Sequence, residues 1–128
     1  NTQAVVNLRQ AGVRTKAFLV VGLPGENEDT AHETRQWIRQ ARPDEWDTSI
    51  FVPYPGSPIY EHPEKYDIQW DGMEASQMWY KGIPGKYVSL VSTSALSRQR
   101  IAELRDELDA MKGEKHGRST TVARGAVP

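Results

Sequence analysis

Along the first sixty residues the apolar positions change their spacing, and each change predicts an element. Ala4, Val5 and Leu8 give Thr2–Gln10 a helical spacing, and Ala11-Gly12 ends that helix because glycine readily takes the left-handed conformation that closes a C-terminus. Val13 to Val21 reads as a strand. Its centre, Ala17-Phe18-Leu19-Val20-Val21, is apolar without alternation, the pattern of a strand covered on both faces of a parallel sheet. From Glu28 to Ala41 the spacing returns to three and four, placing Ala31, Thr34, Trp37, Ile38 and Ala41 on one face of a second helix. Pro43 and Asp44 close it, and Thr48 to Pro53, centred on Ile50-Phe51-Val52, reads as a second strand. Strand, helix and strand in this compass form a βαβ unit with a right-handed crossover, so the sheet is expected to be parallel.

Beyond residue 60 the pattern weakens. Glu61 to Gly85 is rich in aromatic and polar residues, with turn signals at His62-Pro63, Asp71-Gly72 and Pro84-Gly85. Met73, Gln77, Met78 and Tyr80 suggest a short helix, and Tyr66, Trp70, Trp79 and Tyr80 are expected to pack this segment over the end of the sheet. Tyr87 to Thr93 alternates weakly, as a short strand or an extended edge segment would. Ser97 is placed to cap a last helix, with Leu96 packing on Ile101 as a hydrophobic staple. Ile101, Leu104, Leu108 and Met111 form its apolar stripe, while Arg105, Asp109, Glu103 and Glu107 are expected in solvent. Gly113 is expected to end this helix, and residues 113–128 lack apolar periodicity and read as a disordered tail.

Two loops stand out. The first, Gly22-Leu23-Pro24-Gly25-Glu26-Asn27, leaves the first strand; the glycines supply positive φ or close approach, and Pro24 fixes its own φ and bars Leu23 from the helical region. Asn27 can accept from the free amides of the following helix, and Glu28 and Asp29 complement its dipole. Those acids, and the lack of a Lys-Ser/Thr pair, argue against a phosphate-cradling loop. The second loop, Tyr54-Pro55-Gly56-Ser57-Pro58-Ile59-Tyr60, is a proline-stiffened segment that lies outside the sheet. Both leave the C-terminal ends of parallel strands, the edge where ligands bind in α/β folds; the same prolines would also serve simply to stop the strands and steer the chain.

Composition narrows the classes. A net charge of −1 with interspersed signs gives no nucleic-acid footprint. No apolar run approaches the roughly 20 residues of a membrane span, and no signal-peptide pattern opens the chain, so a soluble cytoplasmic location is expected. Cysteine is absent, which removes disulfides and thiolate metal ligands; His32, His62 and His116 stand too far apart for a local metal motif and read as surface residues.

A strand ending in Val-Val-Gly-Leu-Pro-Gly-Glu, an acidic helix start, and a strand ending in Pro-Tyr-Pro-Gly-Ser-Pro-Ile-Tyr together resemble the C-terminal half of a radical S-adenosylmethionine (radical SAM) enzyme. Leu8-Arg9-Gln10-Ala11-Gly12-Val13 resembles the helix and turn that lead into the first of these strands, and the closest members are those with a cobalamin-binding domain ahead of the radical domain. The resemblance covers residues 1–60 and fades through the segment to Ser97. It implies an α/β fragment of a partial, six-stranded (β/α) TIM-like barrel, of which these would be the fifth and sixth strands. The remainder, 61–112, would be an extension carrying the terminal helix. It implies S-adenosylmethionine and a [4Fe-4S] cluster as cofactors, with cobalamin in the cobalamin-type members. Val20, Gly22, Leu23, Gly25 and Glu26 would support the adenosine, although Pro24-Gly25 adds a residue to the shorter form of that motif. Val52, Pro53 and Tyr54 would line the adenine pocket through apolar and backbone contacts.

The family's Cys-x-x-x-Cys-x-x-Cys loop is absent, which makes the chain a fragment whose cluster ligands and partner are the N-terminal remainder of the same protein. No residue is assigned a catalytic or metal role, and the substrate, small molecule or peptide, is unassigned. Two other classes remain. A metabolite-binding α/β barrel fragment predicts basic residues in the two loops, which contain none. A non-catalytic interaction module, with Tyr66 to Tyr80 as its surface, predicts a free-standing fold.

Overall fold

The computed structural model describes residues 1–70 and 87–124, with side chains to residue 114. The chain is a mixed α/β structure. Helix α1 (Thr2–Gln10) leads to strand β1 (Lys16–Val21), helix α2 (Glu28–Ala41) and strand β2 (Glu45–Ile50). A one-turn helix α3 (Pro58–Glu61), a 3-10 turn (Pro63–Tyr66), strand β3 (Gln69–Trp70), strand β4 (Val91–Ser92) and helix α4 (Arg98–Arg124) follow. The short helix expected around Met73 to Tyr80, and the placement of Trp79 and Tyr80, lie outside the described residues.

The turn after α1 forms as its sequence dictates. Gly12 takes φ +74°, its amide donates to Arg9 O at 3.0 Å, and the Val13 amide donates to Leu8 O at 2.9 Å, which together satisfy the last carbonyls of the helix. Arg9 then reaches across to α2, donating to the carbonyls of Ala41 and Arg42 at 2.7 Å each and answering the negative end of that helix. At the start of α2, the Asn27 side chain accepts from the amides of Asp29 and Thr30, and the Thr30 hydroxyl accepts from the Asn27 amide. Asn27→Ala is expected to cost about 1 kcal/mol; urea denaturation checks it, and a change below about 0.3 kcal/mol would show the box to be dispensable.

β1 and β2 pair in parallel, Ala17 beside Trp46, Leu19 beside Thr48 and Val21 beside Ile50. β1 starts later than expected, at Lys16, and stops at Val21 as expected, whereas β2 is shifted at both ends, to Glu45–Ile50. β2 begins at Glu45, where its acidic residues answer basic ones on β1 and in the turn leading into it: Arg14 pairs with Glu45 and Lys16 with Asp47, both at 2.8 Å. The apolar run of β1 is covered on one face, not two. Ala17, Leu19 and Val21 turn toward the helices, whereas Phe18 is 73% and Val20 43% exposed on the opposite face. Among the described residues the helices form a single layer, since α2 and α4 share one core with the same sheet face.

That core joins Val21 and Trp46 of the sheet to Ala31 and Ile38 of α2, to Ile101, Leu104, Leu108 and Met111 of α4, and to Ile68, Val91 and Leu96. Ser97 caps α4, accepting from the Arg100 amide at 3.1 Å, and Leu96 and Ile101 are both buried as the staple requires. The Trp46 indole donates to Leu108 O at 3.0 Å, tying α4 to β2. A surface network adds to this bond. Arg100 grips Glu28 through Nε (2.6 Å) and Nη2 (3.0 Å) and reaches Glu107 at 2.7 Å, and Arg35 meets Glu107 at 2.8 Å.

Two expectations for α4 are corrected. The helix runs on through Gly113 to Arg124, so Gly113 is not its end. Glycine inside a helix costs about 1 kcal/mol but stops it only where the backbone turns left-handed, and Gly113 has no positive φ. Arg105 is not solvated; it is 5% exposed. Its Nε donates to Thr48 O at 3.3 Å, its other nitrogens meet Asp106 at 3.1 Å and Asp109 at 3.0 Å, and its guanidinium carbon lies 3.2 Å from the Tyr87 ring centroid.

In the connecting segment, β3 and β4 pair antiparallel, and β4 covers only Val91–Ser92 of the stretch expected to extend from Tyr87. The Ser94 amide and hydroxyl both donate to Asp67 (3.0 and 2.6 Å), which closes the base of this excursion. Trp70 packs against the core and meets Tyr60 edge-on at 6.1 Å, while Tyr66 is exposed.

Candidate functional site: the C-terminal ends of the parallel strands

Both strands end in the same local structure. After β1, Leu23-Pro24-Gly25-Glu26 turns with the Glu26 amide donating to Leu23 O at 3.1 Å and Gly25 at φ +83°. After β2, Tyr54-Pro55-Gly56-Ser57 turns with the Ser57 amide donating to Tyr54 O at 3.1 Å and Gly56 also at φ +83°. Proline at the second position and a positive-φ glycine at the third define a type II turn, so the two loops are one device used twice. The strands they leave are neighbours to the end, where the Phe51 amide continues the ladder onto Val21 O at 2.8 Å.

In each turn the fourth residue folds back. The Glu26 carboxylate accepts from the Gly22 amide, closing the first loop on itself. The Ser57 hydroxyl donates to Tyr54 O at 2.8 Å and accepts from the Tyr60 amide at 3.2 Å, which caps α3. The stiffness expected from the prolines is therefore reinforced by side chains.

The residues expected to support a ligand are distributed as follows. Val20 is on the open face of β1, Leu23 is exposed at the head of its turn, and Tyr54, 65% exposed, heads the other. Gly22 is buried at φ +87°, Gly25 is exposed, and Glu26 and Val52 are half-buried. Pro53 is fully buried and backs its loop with no surface offered to a ligand. The arrangement brings Gly22 and Glu26 into contact and puts Leu23 and Tyr54 at equivalent places in neighbouring turns. It presents an apolar, proline-walled edge whose first loop already commits the Gly22 amide internally.

Burial raises the Glu26 pKa, and the amides of Gly22 and Leu23 partly offset that by favouring the charged form. A carboxyl raised on folding adds stability that is fully present below its unfolded pKa and is lost as pH rises through the folded one. Glu28 behaves oppositely: Arg100 lowers its pKa, so its contribution is present above the unfolded value and is lost as pH falls through the folded one. Glu26→Gln keeps an acceptor for Gly22 but cannot ionise. Its stability relative to the parent chain is expected to increase as pH rises from about 4 to about 7, read from denaturation midpoints; a flat difference would show that Glu26 ionises freely.

The pattern reading missed two residues that shape this edge. Ile101 of α4 lies directly against Gly22, and Arg105 ties α4 to β2. A helical projection contains the signal for Arg105, which falls between Ile101, Leu104 and Leu108 on the buried stripe. No group of three metal-ligating side chains occurs among the described residues, and no described helix is long and apolar enough to cross a membrane.

No family model and no solved structure matches the chain. Among curated proteins it is similar to the anaerobic magnesium-protoporphyrin IX monomethyl ester cyclase of Cereibacter sphaeroides, with 33% identity over 61 residues. That similarity takes in 48% of this chain, which spans 10% of the cyclase's length.

Proposed function

We propose that this chain is part of a radical SAM enzyme, contributing the adenosine-side wall and part of the substrate cavity of a partial (β/α) barrel. The observation that carries the reading is the pair of matched Pro-Gly turns at adjacent parallel strand ends, in the sequence context that resembles this family. Partial similarity to an anaerobic cyclase supports it, and among the chemistries of the family it favours a ring closure for the whole protein.

The one-sided sheet supports a barrel. Phe18 and Val20 face away from the helices, as residues lining a barrel interior do, and α1 packs beside α2 in the helical layer. A right-handed crossover through α1 would bring a preceding parallel strand to the free edge of β1.

The residues present fit an adenosine better than a cluster. With no cysteine they offer a [4Fe-4S] cluster no thiolate, so its ligands would come from the rest of the protein. Val20, Leu23 and Tyr54 supply exposed apolar surface, and Gly25 and Gly56, with open space where a side chain would stand, let the backbone come close to a ligand. S-adenosylmethionine would supply the radical chemistry when bound. The chain's own part is to hold the adenosine, through loops that Glu26 and Ser57 keep closed, and to exclude water. In cobalamin-type members a second cofactor would enter from an upstream domain; the protein would work in the cytoplasm on a small molecule or peptide.

The test is to read the coding sequence that precedes Asn1. A Cys-x-x-x-Cys-x-x-Cys triplet on the order of a hundred residues upstream, as a barrel of this size requires, is the expected result. An upstream barrel sequence without the triplet would overturn the proposal.

A further inference from the structure

Among the described loop glycines, Gly22 alone is crowded from behind. A β-carbon built there would sit 3.0 Å from Ile101 Cγ2 and 3.4 Å from Cδ1, whereas one at Gly25 or Gly56 would meet nothing within 4 Å. Gly22 therefore needs its missing side chain for close approach as well as for its φ of +87°. Its amide is held by Glu26 from within the loop, and its α-carbon rests on Ile101.

Ile101 is itself fixed from several sides. It has no exposed surface, its amide donates to Ser97 O at 3.0 Å in the first turn of α4, and its β-branched side chain is stiff about χ1. The helix that carries it is bolted to β2 by the Trp46 indole on Leu108 O and by Arg105 on Thr48 O, and to the start of α2 by Arg100 on Glu28. A shift of α4 against the sheet would therefore reach the first loop through one contact.

We infer that Ile101 is a positioning residue for the Gly22–Glu26 loop, so that the C-terminal helix sets the height of the adenosine-side wall proposed above. The inference rests on that reading for its functional meaning, but the clamp itself is a property of this fold.

The experiment is amide hydrogen exchange on the full chain, read at Gly22 and, as reference, at Phe51, whose amide reports the β1–β2 ladder. In Ile101→Ala, Gly22 exchange is expected to accelerate at least about tenfold more than Phe51 exchange. Ile101→Val keeps Cγ2 and is expected to leave the ratio within about twofold. Equal acceleration at both amides would reduce Ile101 to ordinary packing and overturn the inference.

A double-mutant cycle gives a second reading. Gly22→Ala is expected to be less damaging when Ile101 is already alanine, with a coupling of about tenfold in the unfolding constant. Additive effects would overturn the inference. Should Ile101→Ala not fold, the cycle with Ile101→Val, which removes only Cδ1, is expected to show a smaller coupling of the same sign, and additivity there counts equally against the clamp. Binding of S-adenosylhomocysteine to the full-length parent protein is measured separately. Its failure would remove the adenosine reading and leave the clamp standing, whereas additive cycles would remove the clamp and leave the adenosine reading intact.

Discussion

Trp46→Ala is expected to destabilise the fold by about 4 kcal/mol, measured as a lower urea midpoint with an unchanged slope. Trp46 is buried in the centre of the shared core, where its ring separates β2 from α4, and its indole donates to Leu108 O at 3.0 Å. Alanine would leave a cavity that neither the strand nor the helix can close, and the Leu108 carbonyl would lose the donor that ties the helix to the strand. Trp46→Phe divides the two effects: it retains most of the ring and is expected to cost about 1–2 kcal/mol, largely the lost hydrogen bond. A loss below about 1 kcal/mol for Trp46→Ala would mean that α4 is not held to the sheet through this residue.

Arg105→Ala is the second large effect, about 3 kcal/mol. The guanidinium is the buried member of a network whose carboxylates, Asp106 and Asp109, retain access to water, so the penalty falls at the lower end of the range for a broken buried pair. It also loses its bond to Thr48 O and its stack on Tyr87. Lysine is expected to recover less than half, because an ammonium lacks the planar fork that serves two carboxylates and a carbonyl while lying flat on a ring. Thermal unfolding of the two variants checks this, and full rescue by lysine would reduce the site to a single charge interaction.

Much of this architecture is legible in the sequence where one local signal dominates. The limits of α1 and α2 follow from Gly12 and Asn27, because a cap is a short-range affair of two or three residues. The first strand was harder: five apolar residues in a row do not distinguish burial on both faces from burial on one, and only the tertiary layer shows Phe18 in solvent. β2 begins early because Glu45 and Asp47 find cations on β1 and just ahead of it, a cross-strand effect that no window along the chain contains. Gly113 looks like a stop in the sequence, yet a glycine ends a helix only when a left-handed turn follows, and α4 runs through it.

For the site, the sequence pointed to both loops, since prolines and glycines act on their own backbone. It could not show that the Glu26 carboxylate turns inward to Gly22, or that Ile101, seventy-nine positions away, supports the same glycine from behind. Those relations exist only once α4 has been laid against the sheet.

The twin turns have an evolutionary consequence. What the strand ends offer is encoded in the main chain, by two prolines that preset φ and glycines that no other residue replaces without strain, while the exposed side chains of Leu23 and Tyr54 merely decorate it. On the proposed reading, drift at those two positions would change how a ligand is gripped without dismantling the backbone beneath it. Selection would then fall unevenly, tight on the Pro-Gly pairs and loose on their neighbours.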